Sequence, residues 1–212
     1  MIQINSQTKD QIFTFTSAIL QRTAEGKSTY VAFLDLEKAY DKVWKDRLFD
    51  ILWKKGPKGK IWRIMYKLNT NLTAKIKTKH GYTRAIDIID SIRQGGPLSG
   101  LQFASMIDDA ELELLKAELG ISYDDIIIAS LLLLDDITIL TESIEELQKA
   151  LDIIYNFASL NRFSFTYDKC KAMVFDQSHG CGLSALGQVK LRISPIQLPQ
   201  VAQNFCLSLI FH

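Results

Sequence analysis

Three aspartates stand within or at the end of strongly apolar runs. Asp35 follows the apolar residues 31–34, and Asp135 and Asp136 interrupt the run 131–140. A carboxylate in an apolar strand is costly, because a desolvated charge without a partner costs several kcal/mol. A metal cation is the usual partner of such a cluster. The spacing therefore predicts a site for Mg²⁺ and a phosphate-bearing substrate.

A glycine-rich segment, RQGGPLSG at 93–100, lies between the two acidic runs. Gly95 and Gly96 would let the backbone approach a nucleotide or a template strand where a side chain would block it. Gln94 can both donate and accept a hydrogen bond. The alternative is a plain turn from strand to helix, which explains the Gly-Pro pair but not Arg93 and Gln94 in front of it.

Together these segments resemble the palm of reverse transcriptases, most closely those of non-LTR (LINE-like) retrotransposons. FLDLEKAYD at 33–41 has the pattern F-x-D-x-x-x-A-[FY]-D, RQGGPLS at 93–99 has R-Q-G-x-P-L-S, and LLDD at 133–136 corresponds to [FY]-[AV]-D-D. A weaker segment, TYDKCKAMVF at 166–175, is similar to the family's lysine-bearing segment near the end of the palm. The resemblance covers roughly residues 10–177.

The resemblance implies an RNA-directed DNA polymerase that transfers a deoxynucleotide to a primer 3′-hydroxyl. Two Mg²⁺ ions, with Mn²⁺ as the alternative, would assist that transfer. Asp35 and Asp135 are the expected bridging ligands, with Asp136 in support. The backbone carbonyl of Leu36 is a further expected metal ligand. The expected partners are an RNA template, a DNA primer and deoxynucleoside triphosphates, within a larger polyprotein.

Further site residues follow from the same resemblance. Tyr40 would be the gate that excludes a ribose 2′-hydroxyl, and Lys169, or alternatively Lys171, would protonate the leaving pyrophosphate or steady its charge. The substrate-contacting residues would be Tyr40, Arg93, Gln94, Gly95 and Gly96. Each has a plainer alternative: Asp35 as a helix-capping carboxylate, Tyr40 as a core aromatic and Lys169 as a solvated surface lysine.

The hydrophobic periodicity predicts an α+β fold, with helices packed on one face of an antiparallel sheet. Helices are predicted at 8–25, 46–55, 59–69, 97–118 and 142–160, and strands at 29–36, 72–89 (a hairpin), 126–133, 136–141, 163–166 and 171–175. The resemblance implies that this sheet is the ferredoxin-like polymerase palm. The predicted domains are a lead-in helix with residual fingers at 1–28, a palm at 29–177 with partial fingers at 42–90, and a degenerate or truncated tail at 178–212.

A net charge of +1 conceals a strong asymmetry. Residues 42–84, called here the basic stretch, hold thirteen Lys and Arg against Asp46 and Asp50, a net charge of about +11. Its aromatic residues are Trp44, Trp53, Trp62, Tyr66 and Tyr82. Cations interleaved with aromatics predict a surface that follows phosphates and stacks bases. The alternative is a solvated helix face with its aromatics in the core.

The chain also departs from the family pattern. Leu133 stands where an aromatic is usual, Leu134 where a small residue is usual, Gly100 replaces proline, and Gln102 replaces an apolar residue. The upstream fingers and the downstream thumb are not recognisable. We therefore expect a palm-centred fragment of a larger polymerase that extends primers poorly by itself. Two alternatives are an inactive palm fragment that at most binds nucleic acid, and an RNA-templated RNA polymerase. Tyr40 and the QGGPLS string disfavour the second.

Cysteine usage and hydropathy indicate an intracellular, soluble protein without a membrane partner, in the nucleus or the cytoplasm. Cys170, Cys181 and Cys206 lack metal-binding spacing and are expected to be free thiols. The polar N-terminus has no signal-peptide pattern, and the longest apolar run, 126–140, is too short and too acidic to span a bilayer.

Overall fold

The computed structural model describes residues 8–176 except Gln94, Pro97, Leu134 and Asp135, together with three short strands further on. The described helices are α1 (Thr8–Ala24), α2 (Lys45–Lys55), α3 (Gly59–Asn69), α4 (Ser99–Lys116) and α5 (Ile144–Leu160). The described strands are β1 (Thr29–Asp35), β2 (Thr73–Ala74), β3 (Lys77–Thr78), β4 (Gly81–Tyr82), β5 (Ile86–Asp87), β6 (Ile121–Tyr123), β7 (Ile126–Ile128), β8 (Ser130–Leu133), β9 (Asp136–Thr141), β10 (Lys171–Phe175), β11 (Leu183–Ser184), β12 (Arg192–Ile193) and β13 (Ile196–Gln197).

A five-stranded antiparallel sheet, in the order β11-β10-β1-β9-β8, forms the centre of the fold. Strand β1 lies in its middle, where Ala32 pairs with Ile139 on one side and with Ala172 on the other. The four longer strands and the helices α4 and α5 follow one another in the order β-α-β-β-α-β. The predicted α+β class and antiparallel sheet are confirmed.

Helices cover both faces of this sheet, so the prediction that they pack on one face is wrong. On the first face, Ala32 and Leu34 of β1 pack in the main core with residues from α2, α4 and α5. On the second face, Val31 packs in a separate core with Phe15 and Ala18 of α1. The physical reason is that β1 is apolar on both sides, and each side requires its own cover.

The hairpin predicted at 72–89 is divided into two short ladders. Lys77 pairs with Tyr82, but Ala74 pairs with Ile86, so the register shifts by one residue between the two ladders. The return strand therefore carries one extra residue, which is a β-bulge. The alternation of side chains in the sequence could not reveal this shift, because each short ladder alternates correctly by itself.

Two other predicted elements differ, and one is not tested. Residues 163–166 form no strand, since only a single bridge joins Phe165 to Leu36. The strand predicted at 126–133 is two strands, because β7 turns back on the unpredicted β6 while β8 pairs with β9. The predicted tail at 178–212 lies outside the described residues apart from β11, β12 and β13. None of the described helices is long and apolar enough to cross a membrane.

The cover that α1 provides can be tested with two phenylalanines of that helix. Phe15 is 7% exposed and its ring contacts Phe33 and Phe175, whereas Phe13 is 73% exposed. We expect Phe15→Ala to lower the free energy of unfolding by about 3–5 kcal/mol. The matched Phe13→Ala should change it by less than about 0.5 kcal/mol. Urea titration of both variants checks this, and equal losses would contradict the packing of α1 on the second face.

Candidate active site

Two of the predicted carboxylates lie opposite each other at one end of the central sheet. Asp35 is the last residue of β1, Asp136 is the first residue of β9, and the two are direct cross-strand partners. Such partners project from the same face with Cβ atoms about 4.5–5.5 Å apart. Asp136 is exposed, and the side chain of Asp35 is 21% exposed to solvent. Asp135, predicted as a metal ligand, lies outside the described residues.

Lys169 is brought to Asp35 by a turn that follows the bridge at Phe165. The Thr166 amide donates to the Asp35 carbonyl over 2.9 Å, and the Lys169 amide donates to the Thr166 carbonyl over 2.9 Å. The Lys169 Nζ then lies 3.2 Å from Asp35 Oδ2. Lys171, the alternative, donates instead to the Asp168 carbonyl over 2.7 Å. Of the two predicted lysines, Lys169 is the one that contacts a predicted metal ligand.

The backbone around Leu36 is fixed by hydrogen bonds to the segment 164–166. The Asp35 carbonyl and the Glu37 amide both bond to the segment 164–166. In an antiparallel pair these two bonds flank the bridge, so the carbonyl of Leu36 points away from Phe165 and toward the β9 side. This direction suits the predicted role of that carbonyl as a metal ligand.

The turn after β1 carries backbone strain and is braced by an ion pair. Lys38 has a φ of +49°, which is unusual for a residue other than glycine. Lys42 bonds Glu37 Oε2 over 2.5 Å and Ser164 Oγ over 3.3 Å. The lysine lowers the pKa of the Glu37 carboxyl through this hydrogen bond. The brace fixes the turn that leads from Asp35 to Tyr40.

Tyr40 lies partly buried beside the glycine-rich segment. Its ring stacks on Phe103 of α4 with centroids 5.0 Å apart. Its carbonyl accepts from the Ile92 amide, and the Val43 carbonyl accepts from the Ser91 amide, each over 3.0 Å. Ser91 has a φ of +102°, a strained value just before Arg93. These bonds attach the predicted gate to the segment that carries the other predicted substrate-contacting residues.

Both glycines of that segment have a structural explanation. Gly95 has a φ of +76°, which favours glycine. At Gly96 a Cβ atom would lie 2.6 Å from Ser99 Oγ and 3.1 Å from the Arg93 carbonyl. Ser99 Oγ itself donates to that carbonyl and closes the turn. Arg93 is exposed, and Gln94 lies outside the described residues. Their contact with substrate stays a prediction.

Cys170 is a component of the site region that its sequence context did not single out. It is fully buried, and it lies beside Lys169 in the turn that reaches Asp35. Burial raises the pKa of the Cys170 thiol, and a hydrogen bond from the Asp35 backbone lowers it in part. The only sequence signal was its place between two candidate lysines. A neutral, inert thiol thus packs behind the carboxylate end of β1.

The described part of the site fits a hard cation, although it supplies only part of a ligand set. Among the described residues, which exclude Asp135, no three Asp, Glu, His or Cys side chains come together as metal ligands. The donors that are present, the carboxylates of Asp35 and Asp136 and the Leu36 carbonyl, are oxygen atoms of the kind that Mg²⁺ prefers. Asp35 already accepts one cation, the Lys169 ammonium.

Comparison of the sequence with known proteins identifies one family. The family "Reverse transcriptase (RNA-dependent DNA polymerase)" matches residues 2–198. The chain is 30% identical over 128 residues to the Pol polyprotein of the type-1 retrotransposable element R2 of Nasonia vitripennis, which covers 60% of this chain and 12% of that protein. It is 28% identical over 147 residues to the R2DM polyprotein of Drosophila melanogaster, covering 68% and 14%. The chain thus spans about an eighth of the length of these relatives.

Solved structures of telomerase share the fold. Telomerase of Candida tropicalis, in complex with a fragment of telomeric RNA, superposes with a TM-score of 0.63 at 17% identity, over 82% of this chain and 30% of that one. Telomerase of Candida albicans, in a similar complex, gives 0.63 at 14% identity, over 81% and 31%. At such identities the likeness concerns the fold alone.

The buried thiol behind Asp35 should make stability depend on pH. The folded-state pKa of Cys170 is raised, so the unfolded chain loses this proton first, near pH 8.5. Its contribution to stability is complete below that pH and is lost as the pH rises toward the folded-state pKa. We expect unfolding at pH 9.5 to become easier by about 1 kcal/mol relative to pH 7, and Cys170→Ala to remove that part of the decrease. Urea titrations at both pH values measure it, and an identical decrease in the variant would contradict it.

Proposed function

This chain belongs to the reverse transcriptase family, and we propose that its residues 29–177 are the catalytic palm of an RNA-directed DNA polymerase from a non-LTR retroelement. The observation that carries the proposal is the pair of carboxylates at one end of the central five-stranded sheet. Asp35 and Asp136 are cross-strand partners at the ends of apolar strands, and Lys169 Nζ lies 3.2 Å from Asp35. The distant relation to the R2 Pol polyproteins supports the retroelement assignment.

Asp35, Asp135 and Asp136 would hold the divalent ions that the family uses, together with the Leu36 carbonyl. Bound Mg²⁺ would lower the pKa of the primer 3′-hydroxyl and neutralise charge on the triphosphate and the leaving pyrophosphate. The protein's own contribution is to fix these oxygens in position. Strand β1 does so for Asp35, because both of its edges are hydrogen-bonded to neighbouring strands.

Lys169 would change partners during the reaction. It bonds Asp35, and its own side chain is 66% exposed, so the contact is weak enough to break. A cation held by Asp35 would compete with the ammonium, which would remain on the same side of the site. It can then donate a proton to the leaving pyrophosphate or steady its charge.

Tyr40 and the glycine-rich turn would receive the nucleotide. The Tyr40 ring is held flat against Phe103, so it cannot easily turn aside for an extra 2′-oxygen. Arg93 is exposed at the start of the turn and carries a planar donor group that suits phosphate oxygens. The Tyr40 assignment implies a deoxyribose in the substrate, and the Arg93 assignment implies its phosphates. The matching family, described as an RNA-dependent DNA polymerase, supports an RNA template here.

Primer extension tests the proposed catalysis. With a primed RNA template, deoxynucleotides and Mg²⁺ or Mn²⁺, we expect slow extension, because the rate also requires the primer end to be held in place. Asp135→Ala and Asp35→Asn should each reduce the rate at least about 100-fold, since metal-assisted stabilisation contributes several kcal/mol. Asp152→Asn, a carboxylate on the exposed face of α5, is the matched control. Extension that survives Asp135→Ala would refute the assignment.

A second candidate function, nucleic-acid binding without catalysis, is favoured by the exposed half of the basic stretch. Part of the stretch is used internally. Lys42, Arg47, Lys54 and Lys55 form ion pairs. Lys45 is buried, which lowers its pKa. The remaining cations are exposed, with no ion pair to the described residues: Lys58, Lys60, Arg63, Lys67, Lys75, Lys77, Lys79 and Arg84.

The aromatic residues of the stretch divide in the same way. Trp62 stacks on Tyr66 with centroids 5.1 Å apart, and Trp53 packs edge-on against Trp62. These rings pack on one another, yet Trp53 and Tyr66 are still 48% and 42% exposed, so they do not lie in the core as the plainer alternative expected. Tyr82 is more exposed than either of them, at 69%.

A salt series tests the binding function independently of catalysis. We expect the affinity for a template–primer duplex to fall as salt rises from about 50 to about 200 mM, because each neutralised phosphate releases counterions. Eight exposed cations set an upper limit of about 10⁴-fold for this loss. Fluorescence anisotropy gives the affinities. An affinity that is flat with salt would show that these cations are ordinary surface residues.

A further inference from the structure

The segment 72–88 forms a hairpin whose base is fixed to the body of the protein and whose strands are exposed. The Ile88 amide donates to the Leu72 carbonyl over 2.8 Å and closes the base. The buried Lys45 ammonium donates to the Ile88 carbonyl over 2.8 Å and attaches that base to α2. Every residue of the four short strands β2, β3, β4 and β5 is exposed. The hairpin is therefore a projecting element with an anchored base.

One face of this hairpin concentrates positive charge. Lys77 and Tyr82 are cross-strand partners and share that face. Lys75 is two residues before Lys77 and projects the same way. The bulge in the return strand places Arg84 opposite Lys75, on the same side. These four residues, Lys75, Lys77, Tyr82 and Arg84, are called here the cationic face.

The arrangement is unfavourable for the chain alone. Like charges in opposition on a hairpin destabilise it, and Lys75 stands opposite Arg84. None of the three cations forms an ion pair with any residue that the structure describes. Asp87, opposite Thr73, adds one acid at the base of the same face. An anionic partner would relieve the repulsion.

The opposite face of the hairpin is apolar. Ile76 and Ile86 lie there, 58% and 52% exposed, so charge and apolar surface are separated across a structure only one sheet thick. The cations can therefore be substituted without disturbing a packed core. The separation also means that a ligand of the cationic face would meet charge and one aromatic ring, and little else.

We propose that the cationic face of the 72–88 hairpin binds an unpaired nucleic-acid strand, with Lys75, Lys77 and Arg84 on its phosphates and a base stacked on Tyr82. The exposed Tyr82 ring favours an unpaired strand, because bases inside a duplex have both faces covered by their neighbours, whereas unpaired bases offer a face for stacking along the whole strand. That this strand is the template rests on the proposed polymerase function. That the cationic face binds an unpaired strand does not depend on that function. The base of the hairpin continues through residues 88–92, which are hydrogen-bonded to Tyr40 and Val43, to the turn at Arg93.

Two sets of variants of the full chain test the proposal. The first is the triple variant Lys75→Ser, Lys77→Ser and Arg84→Ser. Its matched control removes the same charge elsewhere through Lys27→Ser, Lys116→Ser and Lys149→Ser, outside the hairpin and the candidate site. The second set compares Tyr82→Ala with Tyr82→Phe, which keeps the ring. Thermal unfolding confirms that each variant is folded before binding is measured.

The measurement is fluorescence anisotropy with a labelled unpaired RNA of about 20 nucleotides and with the blunt duplex of the same sequence. For the triple variant we expect at least a tenfold weaker affinity for the unpaired strand than the control triple shows. The slope of log affinity against log salt should be shallower by about 2, because about 0.7 is lost for each phosphate contact on a single strand. Tyr82→Ala should weaken unpaired-strand binding about 5- to 150-fold, leave duplex binding unchanged, and be rescued by Tyr82→Phe.

The proposal is overturned if the hairpin triple variant binds the unpaired strand as well as the control triple does, or if Tyr82→Ala binds it as the wild type does. Equal losses for strand and duplex in Tyr82→Ala would also overturn it, because stacking would then not be the interaction. None of these binding measurements requires catalytic activity. Failure here is therefore distinguishable from failure of the polymerase assignment, which primer extension decides.

Discussion

The whole arrangement depends on the pairing of β1 along both of its edges. A strand that is buried on both faces and hydrogen-bonded on both sides has almost no freedom to move, so the residue at its end is placed with equal rigidity. That residue is Asp35, and the strand pairing sets Asp136 opposite it. The turn from Thr166 to Lys169 is attached to the same strand end through the Asp35 carbonyl. Strand pairing and apolar packing together thereby position a group of charged atoms at the end of the sheet.

The lysines in neighbouring parts of the chain have two different environments. Lys42 and Lys45 are used inside the fold, where one braces the turn after β1 and the other holds the base of the hairpin. Lys75 and Lys77 lie outside it, exposed on the projecting hairpin. The internal cations bond a carboxylate or a carbonyl, whereas the external ones form no ion pair within the part of the chain that the structure describes. Net charge along the sequence cannot separate these groups, because the difference lies in which partner each side chain meets after folding.

Much of the fold and part of the site could be predicted from the sequence. The helices and the strands on either side of the aspartates follow from apolar periodicity. Ser143 begins α5 as a cap, since its Oγ accepts from the Glu146 amide, and serine is a favoured residue at that position. The cover on the second face was missed, although Val31, Ala32 and Phe33 form a continuous apolar run that indicates burial on both sides. Gln102, a polar residue at a usually apolar position, could not be explained without its partner, the Asn69 amide. The bulge and the position of Cys170 depend on contacts distant in sequence, which local patterns do not contain.

The central place of β1 has a consequence for how the chain acquires its shape. Ala32 must find Ile139 and Ala172, both more than 100 residues further along the chain. Contacts so distant in sequence close slowly, because a long loop must be ordered before the contact stabilises it. During synthesis β1 emerges before both of these partners and is exposed to aggregation until they follow. The arrangement that makes Asp35 immobile in the finished protein thus makes its strand one of the last to be enclosed, and a chaperone that shields it meanwhile would favour the correct fold.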